Sequence, residues 1–137
     1  MIEIPLTPVS LRCRRKALGL TRAELGDLIN APASAIRSWE IGKSSPRDSK
    51  GVNMLLSSLE VAALDCVDEL TTPADCEIED GGVSPVVLIS YVDQVSYEQY
   101  CEWAGKIPLS TYQACVGNAA ALLADHVLNV SIIARTS

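Results

Sequence analysis

A chain of 137 residues with 48% hydrophobic and only 4% aromatic side chains has the length and apolar content for one ordinary domain, or for two small ones sharing a core. No apolar run approaches the ~18 residues that a membrane-crossing helix needs, and the opening Met1-Ile2-Glu3-Ile4-Pro5-Leu6 lacks the basic start and long apolar stretch of a secretion signal. A cytoplasmic protein with no membrane partner is therefore expected.

The net charge of -6 argues against nucleic acid only until it is divided along the chain. Residues 1–47 hold eight Lys and Arg against four acids, whereas residues 48–137 hold three against 13. A basic docking module joined to an acidic, partner-facing module would show this asymmetry. A run of solvated charges on an exposed helix is a fair competitor for Arg12 to Lys16 alone, but does less well for the whole pattern. The five cysteines, Cys13, Cys66, Cys76, Cys101 and Cys115, are odd in number and show no CxxC spacing. Neither a disulfide framework nor a zinc site is suggested, most should be small buried hydrophobes, and Cys76 is the thiol expected to be exposed.

In chain order, Thr7 and Pro8 supply an N-cap and a first helical position, and Leu11, Arg15 and Leu18 recur at helical spacing before Gly19. A helix from about Pro8 to Leu18 is expected. Thr21 and Glu24 form a capping box for a second helix with Leu25, Leu28 and Ile29 inward. Asn30 suits a left-handed turn, and Pro32 can start a third helix buried through Ile36 and Trp39. That leaves Ala33, Ser34, Arg37 and Ser38 facing outward, the geometry needed to set a helix into a DNA major groove. Arg22 opposes the dipole at the start of the second helix, a placement that a phosphate docked on the same helix end would explain.

The stretch LRCRRKALGLTRAELGDLINAPASAIRSWEIGKSSP, Leu11 to Pro46, resembles the phage-repressor-like helix-turn-helix family (the Cro type, often called the XRE family). Its usual pattern runs L-R-x-x-R-x-x-x-G-L-T-Q-A-E-L-A through I-x-x-W-E-x-G-x-x-x-P. Departures are Arg22 in place of Gln, Asn30 in place of Gly, and Pro32 in place of Ser or Thr. The resemblance implies base readout by Ala33, Ser34, Arg37 and Ser38. It implies phosphate contacts from Thr21, Arg22, Lys43 and Arg47, and a structural ion pair between Arg15 and Glu40 beneath the DNA-facing surface. Arg paired to guanine is the commonest specific contact, so Arg37 is the chief candidate.

Beyond Pro46, the stripe Val52, Leu55, Leu56, Leu59, Ala63, Cys66 and Leu70 predicts one helix from about Asp48 to Leu70. Residues 71–84, with Pro73, the acids Asp75, Glu77, Glu79 and Asp80, and Gly81-Gly82, read as an acidic linker and not as a metal site. Val86 to Tyr91 reads as a strand. Ser96 with Gln99 and Ser110 with Gln113 read as capping boxes of two helices, the second with Tyr112, Val116, Ala119, Ala120, Leu123 and Val127 on its apolar face. Val130 to Ala134 reads as a closing strand that pairs within one subunit or across two. The expected fold is mainly α: a helix-turn-helix bundle in residues 1–70 with a long connecting helix, and a small α+β module in residues 85–137.

The long helix, the small α+β module and its late Ala-rich helix are similar to the anti-CRISPR-associated (Aca) autorepressors, a weaker likeness that implies homodimerisation through this module. Tyr112, Val116, Ala120, Leu123 and Val127 are the expected dimerisation residues. Catalysis finds little support: His126 is the sole histidine, Cys115 stands three turns from it, and no phosphate-cradling loop or metal-ligand cluster is present. No cofactor is expected. The leading expectation is a homodimeric repressor on an inverted repeat of double-stranded DNA. An antitoxin-like protein whose acidic C-terminal part binds a partner protein is the second, and a helix-turn-helix kept as scaffold for RNA or protein the third.

Overall fold

The computed structural model describes residues 3–79, 85–125 and 129–135, and side chains are not described over 73–79. His126 and Val127, as well as Asp80 to Ser84, lie outside the described residues. The chain is mainly helical with one small sheet, and it divides into two compact units, Met1–Val61 and Ala62–Ser137. The division falls inside the long helix, nine residues before the boundary expected at 70.

The first unit begins with α1 (Pro8–Ala17), whose N-cap Thr7 exchanges hydrogen bonds with Ser10 in a reciprocal box. Next is α2 (Arg22–Ile29), with Thr21 and Glu24 bonded in the same way. Asn30 then adopts the left-handed conformation at φ 57°, and α3 (Ala33–Glu40) follows from Pro32, which offers no side-chain cap. Leu11, Leu18, Leu20, Leu25, Ile36, Val52, Leu56 and Leu59 form the core. Three expected core residues are not in it: Leu28 is 43% exposed, and Ile29 and Trp39 are only half-buried. An eight-residue helix has one narrow inward stripe, here taken by Leu25 and Gly26, and Leu28 falls to its side.

Gly26 sits where helical propensity alone would disfavour it. The left-handed turn at Asn30 brings the Ala31 carbonyl back over α2, where Ala31 N–H donates to the Gly26 carbonyl at 2.9 Å. A Cβ on Gly26 would collide with the Ala31 oxygen.

The long helix α4 (Ser49–Glu79) opens with Asp48 accepting a bond from Gly51 N–H and buries Val52, Leu56, Leu59 and Cys66 as its periodicity requires. It does not stop at Leu70. Residues 71–79 are helical, so Asp75, Glu77 and Glu79 fall on a helix and not in the acidic linker expected there. Pro73 removes only one helical bond, and in the turn before it the Thr71 and Thr72 hydroxyls fold back to the Val67 and Asp68 carbonyls at 3.0 and 2.6 Å.

In the second unit β1 (Val86–Tyr91) leads through α5 (Gln94–Tyr100), a short 3-10 turn at Glu102–Gly105 and α6 (Leu109–Ala124) to β2 (Val130–Arg135). The strands pair in parallel within the chain, Val86 opposite Val130 and Tyr91 opposite Arg135, as a helical crossover permits. The caps differ from those expected. Asp93 caps α5, accepting from Ser96 N–H at 2.7 Å, and this bond holds its carboxyl below the ordinary range. The N-cap of α6 is Pro108, and Gln113 donates to the Tyr91 carbonyl instead of closing a box. Tyr91, Tyr97 and Tyr112 cluster with ring centroids 5.4 to 5.8 Å apart, above Trp103, Ile107, Val116, Ala119 and Leu123 in the core.

Gly26→Ala should destabilise the first unit by about 1–3 kcal/mol through overpacking, although Ala would raise helix propensity by about 1 kcal/mol. Urea unfolding reads the difference, and a variant as stable as the parent would show that the turn yields.

Candidate nucleic-acid interface

The candidate interface is built on α3. Its inward residues are Ile36, fully buried, and Glu40, whose side chain has no exposed surface. On the opposite side Ala33, Ser34 and Arg37 are exposed. Ser38 is half-buried, and its hydroxyl is bonded to Ser44 Oγ at 2.9 Å, while its carbonyl accepts from Lys43 N–H at 2.9 Å. These bonds hold the loop after α3, which turns at Gly42 (φ 79°) and carries the exposed Lys43 and Arg47. Ser44 was not marked by sequence reasoning. Its pairing with Ser38 depends on the turn at Gly42, and no spacing rule reports it.

Glu40 is where the three short helices meet. Arg15, from α1, donates through Nε and Nη2 to its two carboxylate oxygens at 2.6 and 3.1 Å, and through Nη1 to the Leu20 carbonyl at 2.9 Å. Arg22, the first residue of α2, donates through Nε to Glu40 Oε1 at 3.1 Å. Burial alone would raise the Glu40 pKa, but hydrogen bonds from Arg15 and then Arg22 outweigh it and hold the carboxyl below its ordinary value. Arg22 is thus not a free cation at the helix start: it shares Glu40, with 31% of its side chain left exposed. Beside it, the side-chain oxygen of exposed Thr21 accepts the Glu24 N–H at 3.1 Å.

Two of the eight basic residues counted toward docking are internal. Arg15 is one. Arg14, 5% exposed, makes a two-pronged pair with Glu60 (2.6 to 3.1 Å) and further bonds to Asn53, Ser57 Oγ and the Ile4 carbonyl. Arg12, Lys16, Arg37, Lys43 and Arg47 remain exposed, so the basic character of this unit is carried at fewer positions than the sequence suggested.

Three of the five expected dimerisation residues are buried within their own unit. Tyr112, Val116 and Leu123 are 5%, 2% and 2% exposed, because that face of α6 packs on β1 and β2 of its own chain. Ala120 is half-buried, and Val127 lies outside the described residues. Among the described cysteines Cys66 and Cys115 are buried and Cys13 is exposed; the side chain of Cys76, the thiol expected to be exposed, lies outside the described residues. The neighbouring Cys115 thiol, and then burial, push the Cys66 thiol above its ordinary range. Among the described residues no group of His, Cys, Asp and Glu is arranged to hold a metal, and no helix is long and apolar enough to cross a membrane. No protein-family model matches the chain, and no curated protein shows significant similarity to it.

Removing the Glu40 carboxylate leaves Arg15 buried without its counter-charge. Glu40→Ala should cost about 3–5 kcal/mol in chemical unfolding. Because the folded-state pKa of Glu40 is lowered, its contribution is present above the ordinary value of 4.5 and is lost as pH falls through the folded value. The stability gap between the parent and Glu40→Gln should therefore narrow as the medium is acidified below that value, and a gap that stays constant would mean the carboxylate charge is not what holds the helices.

Proposed function

We propose that the protein is a sequence-specific DNA-binding regulator that acts in the cytoplasm as a homodimeric repressor on an inverted repeat. The observation that carries this reading is α3: Ala33, Ser34 and Arg37 are exposed on a helix anchored from behind by Ile36 and by the Arg15–Glu40–Arg22 cluster. A rigid helix with a free polar face and flanking cations is what major-groove readout requires. In this reading Arg37 pairs with a guanine edge, and Ala33 and Ser34 make the shorter base contacts. Ser38 acts through the loop it holds and at the edge of the readout. Thr21, Lys43, Arg47 and the exposed part of Arg22 meet phosphates. Two copies place their α3 helices in successive major grooves about 34 Å apart. The likeness to the XRE-type repressors supports the assignment of roles.

A second reading, docking of a partner protein by the C-terminal unit, is favoured by the 11 acids against two basic residues in 62–137. It predicts an assembly in which DNA is dispensable.

Selection of bound fragments from a pool of random duplexes tests the first reading directly, and failure to enrich any sequence would remove it. Once a sequence is in hand, Arg37→Ala should relax preference at one position of each half-site, a loss of about 1–3 kcal/mol of discrimination. Lys43→Ala should weaken all sequences alike and lower the salt slope by about one unit. Arg22→Ala should lower it by less, since Glu40 already neutralises part of that charge.

A further inference from the structure

The buried Arg14 guanidinium fastens two pieces of chain at once. Its Nη1 donates to the Ile4 carbonyl at 3.3 Å and to Asn53 Oδ1, and its Nη2 donates to Ser57 Oγ at 3.3 Å. One residue on, Ser10 Oγ donates to the Pro5 carbonyl at 2.7 Å, so the extended lead before α1 is pinned twice. Between this lead and the first half of α4, wholly inside the first unit, lies a cavity of about 750 Å³. That is within the range of roughly 300–1,000 Å³ usual for small-molecule sites, and both walls are held before any ligand arrives.

The α4 wall is a stripe separate from the core. Lys50, Asn53, Met54, Ser57, Ser58 and Val61 recur at helical spacing alongside the buried Val52, Leu56 and Leu59. At ~1.5 Å per residue the stripe runs about 16 Å from Lys50 to Val61. Met54 and Val61 are 62% and 41% exposed, and Ile4 and Pro5 line the same space from the lead, so apolar surface on both walls is left to water. Lys50 and Asn53 mark the polar end. They are neighbours one turn apart, and with its oxygen taken by Arg14 the Asn53 amide has its nitrogen to donate. Neither Lys50 nor Glu3, the one acid lining the cavity, makes an ion pair among the described residues.

We propose that this cavity binds a small amphipathic organic acid, its carboxylate at Lys50 and Asn53 and its apolar body along Met54 to Val61, against Ile4 and Pro5. Charge selects an anion: two donors stand together at the Lys50 end, and residues 1–61 hold nine basic side chains against six acidic ones. Glu3 limits the ligand to one carboxylate, because a second would be set near a like charge. Length selects an extended chain or ring system over a compact metabolite, since a carboxylate held at Lys50 reaches Val61 only through a body that spans most of the stripe. Met54, unbranched and adaptable, tolerates different outlines of that body, so headgroup and length are what the site reads.

No residue of α3 lines the cavity, so occupancy is measured without DNA and is decided apart from the regulator reading. Calorimetric titration of the full chain with octanoate should show one site with Kd below about 1 mM, and octylamine, with the same chain and the opposite charge, should bind at least about tenfold more weakly. Octanol should fall between them. Lys50→Gln should remove the advantage of octanoate over octanol, while Val61→Asp should weaken both at least about fivefold. Both positions are exposed, so the circular dichroism spectrum should not change. Amide resonances of Ile4, Met54 and Val61 should move as octanoate saturates the chain. No saturable binding below about 1 mM, equal binding of the three probes, a preference for octylamine, or an octanoate affinity unmoved by Lys50→Gln or by Val61→Asp would overturn the site. Octanoate that binds as expected while no duplex is enriched from the random pool would leave the site standing and remove the regulator reading.

Discussion

The buried carboxylate of Glu40 is the constraint on which the N-terminal unit depends. It stands at the end of α3 and is met by Arg15 from α1 and Arg22 from the start of α2, so one side chain ties three short helices. Helices of eight residues have little stability of their own in water, and their persistence rests on tertiary contacts. A charge taken this far from solvent is tolerated only when its hydrogen bonds are nearly complete, and two guanidiniums supply them. The consequence for function is mechanical. The polar face of α3 is held from behind by directional bonds, while Ile36 alone would leave the helix free to roll about its axis.

Arg14 repeats the device one residue earlier and redistributes the charge of the unit. Its guanidinium lies between α1 and the first half of α4, with Glu60, Asn53 and Ser57 around it and the Ile4 carbonyl holding the N-terminal lead. Adjacent arginines on one helix thus point to different partners. The net excess of base over acid in the first 47 residues overstates the field available to an anion, because Arg14 and Arg15 are neutralised internally. The basic side chains left exposed are Arg12, Lys16, Arg37, Lys43 and Arg47, together with part of Arg22.

Much of the first unit was legible because its signals are local. Thr7, Thr21 with Glu24, Asn30 and Gly19 act within one turn of chain, and the structure uses each at its expected place. The Arg15–Glu40 contact came from the resemblance, not from spacing, since residues 25 positions apart share no periodicity. What escaped is tertiary. Gly26 is explained only by the return of the Ala31 carbonyl, and Leu28 and Trp39 read as core until the width of a short helix is taken into account. Downstream the capping boxes at Ser96 and Ser110 misled, because the same residue pattern occurs inside helices whose caps are Asp93 and Pro108. Pro73 misled in the opposite sense: a proline with threonines before it does not end a long helix.

The apolar face of α6 shows most clearly why a sequence pattern cannot name its partner. Tyr112, Val116 and Leu123 announce that something covers them, and both a second subunit and the chain's own sheet meet that demand equally well. Parallel pairing of β1 with β2 decides it, since a parallel connection must carry helices across the sheet and lay them on it. Once α6 is committed to its own strands, its Tyr112 and Gln113 also occupy the outer edge of β1. The other strand, β2, whose residues are Val, Ser, Ile, Ile, Ala and Arg, reads in the sequence as an ordinary closing strand.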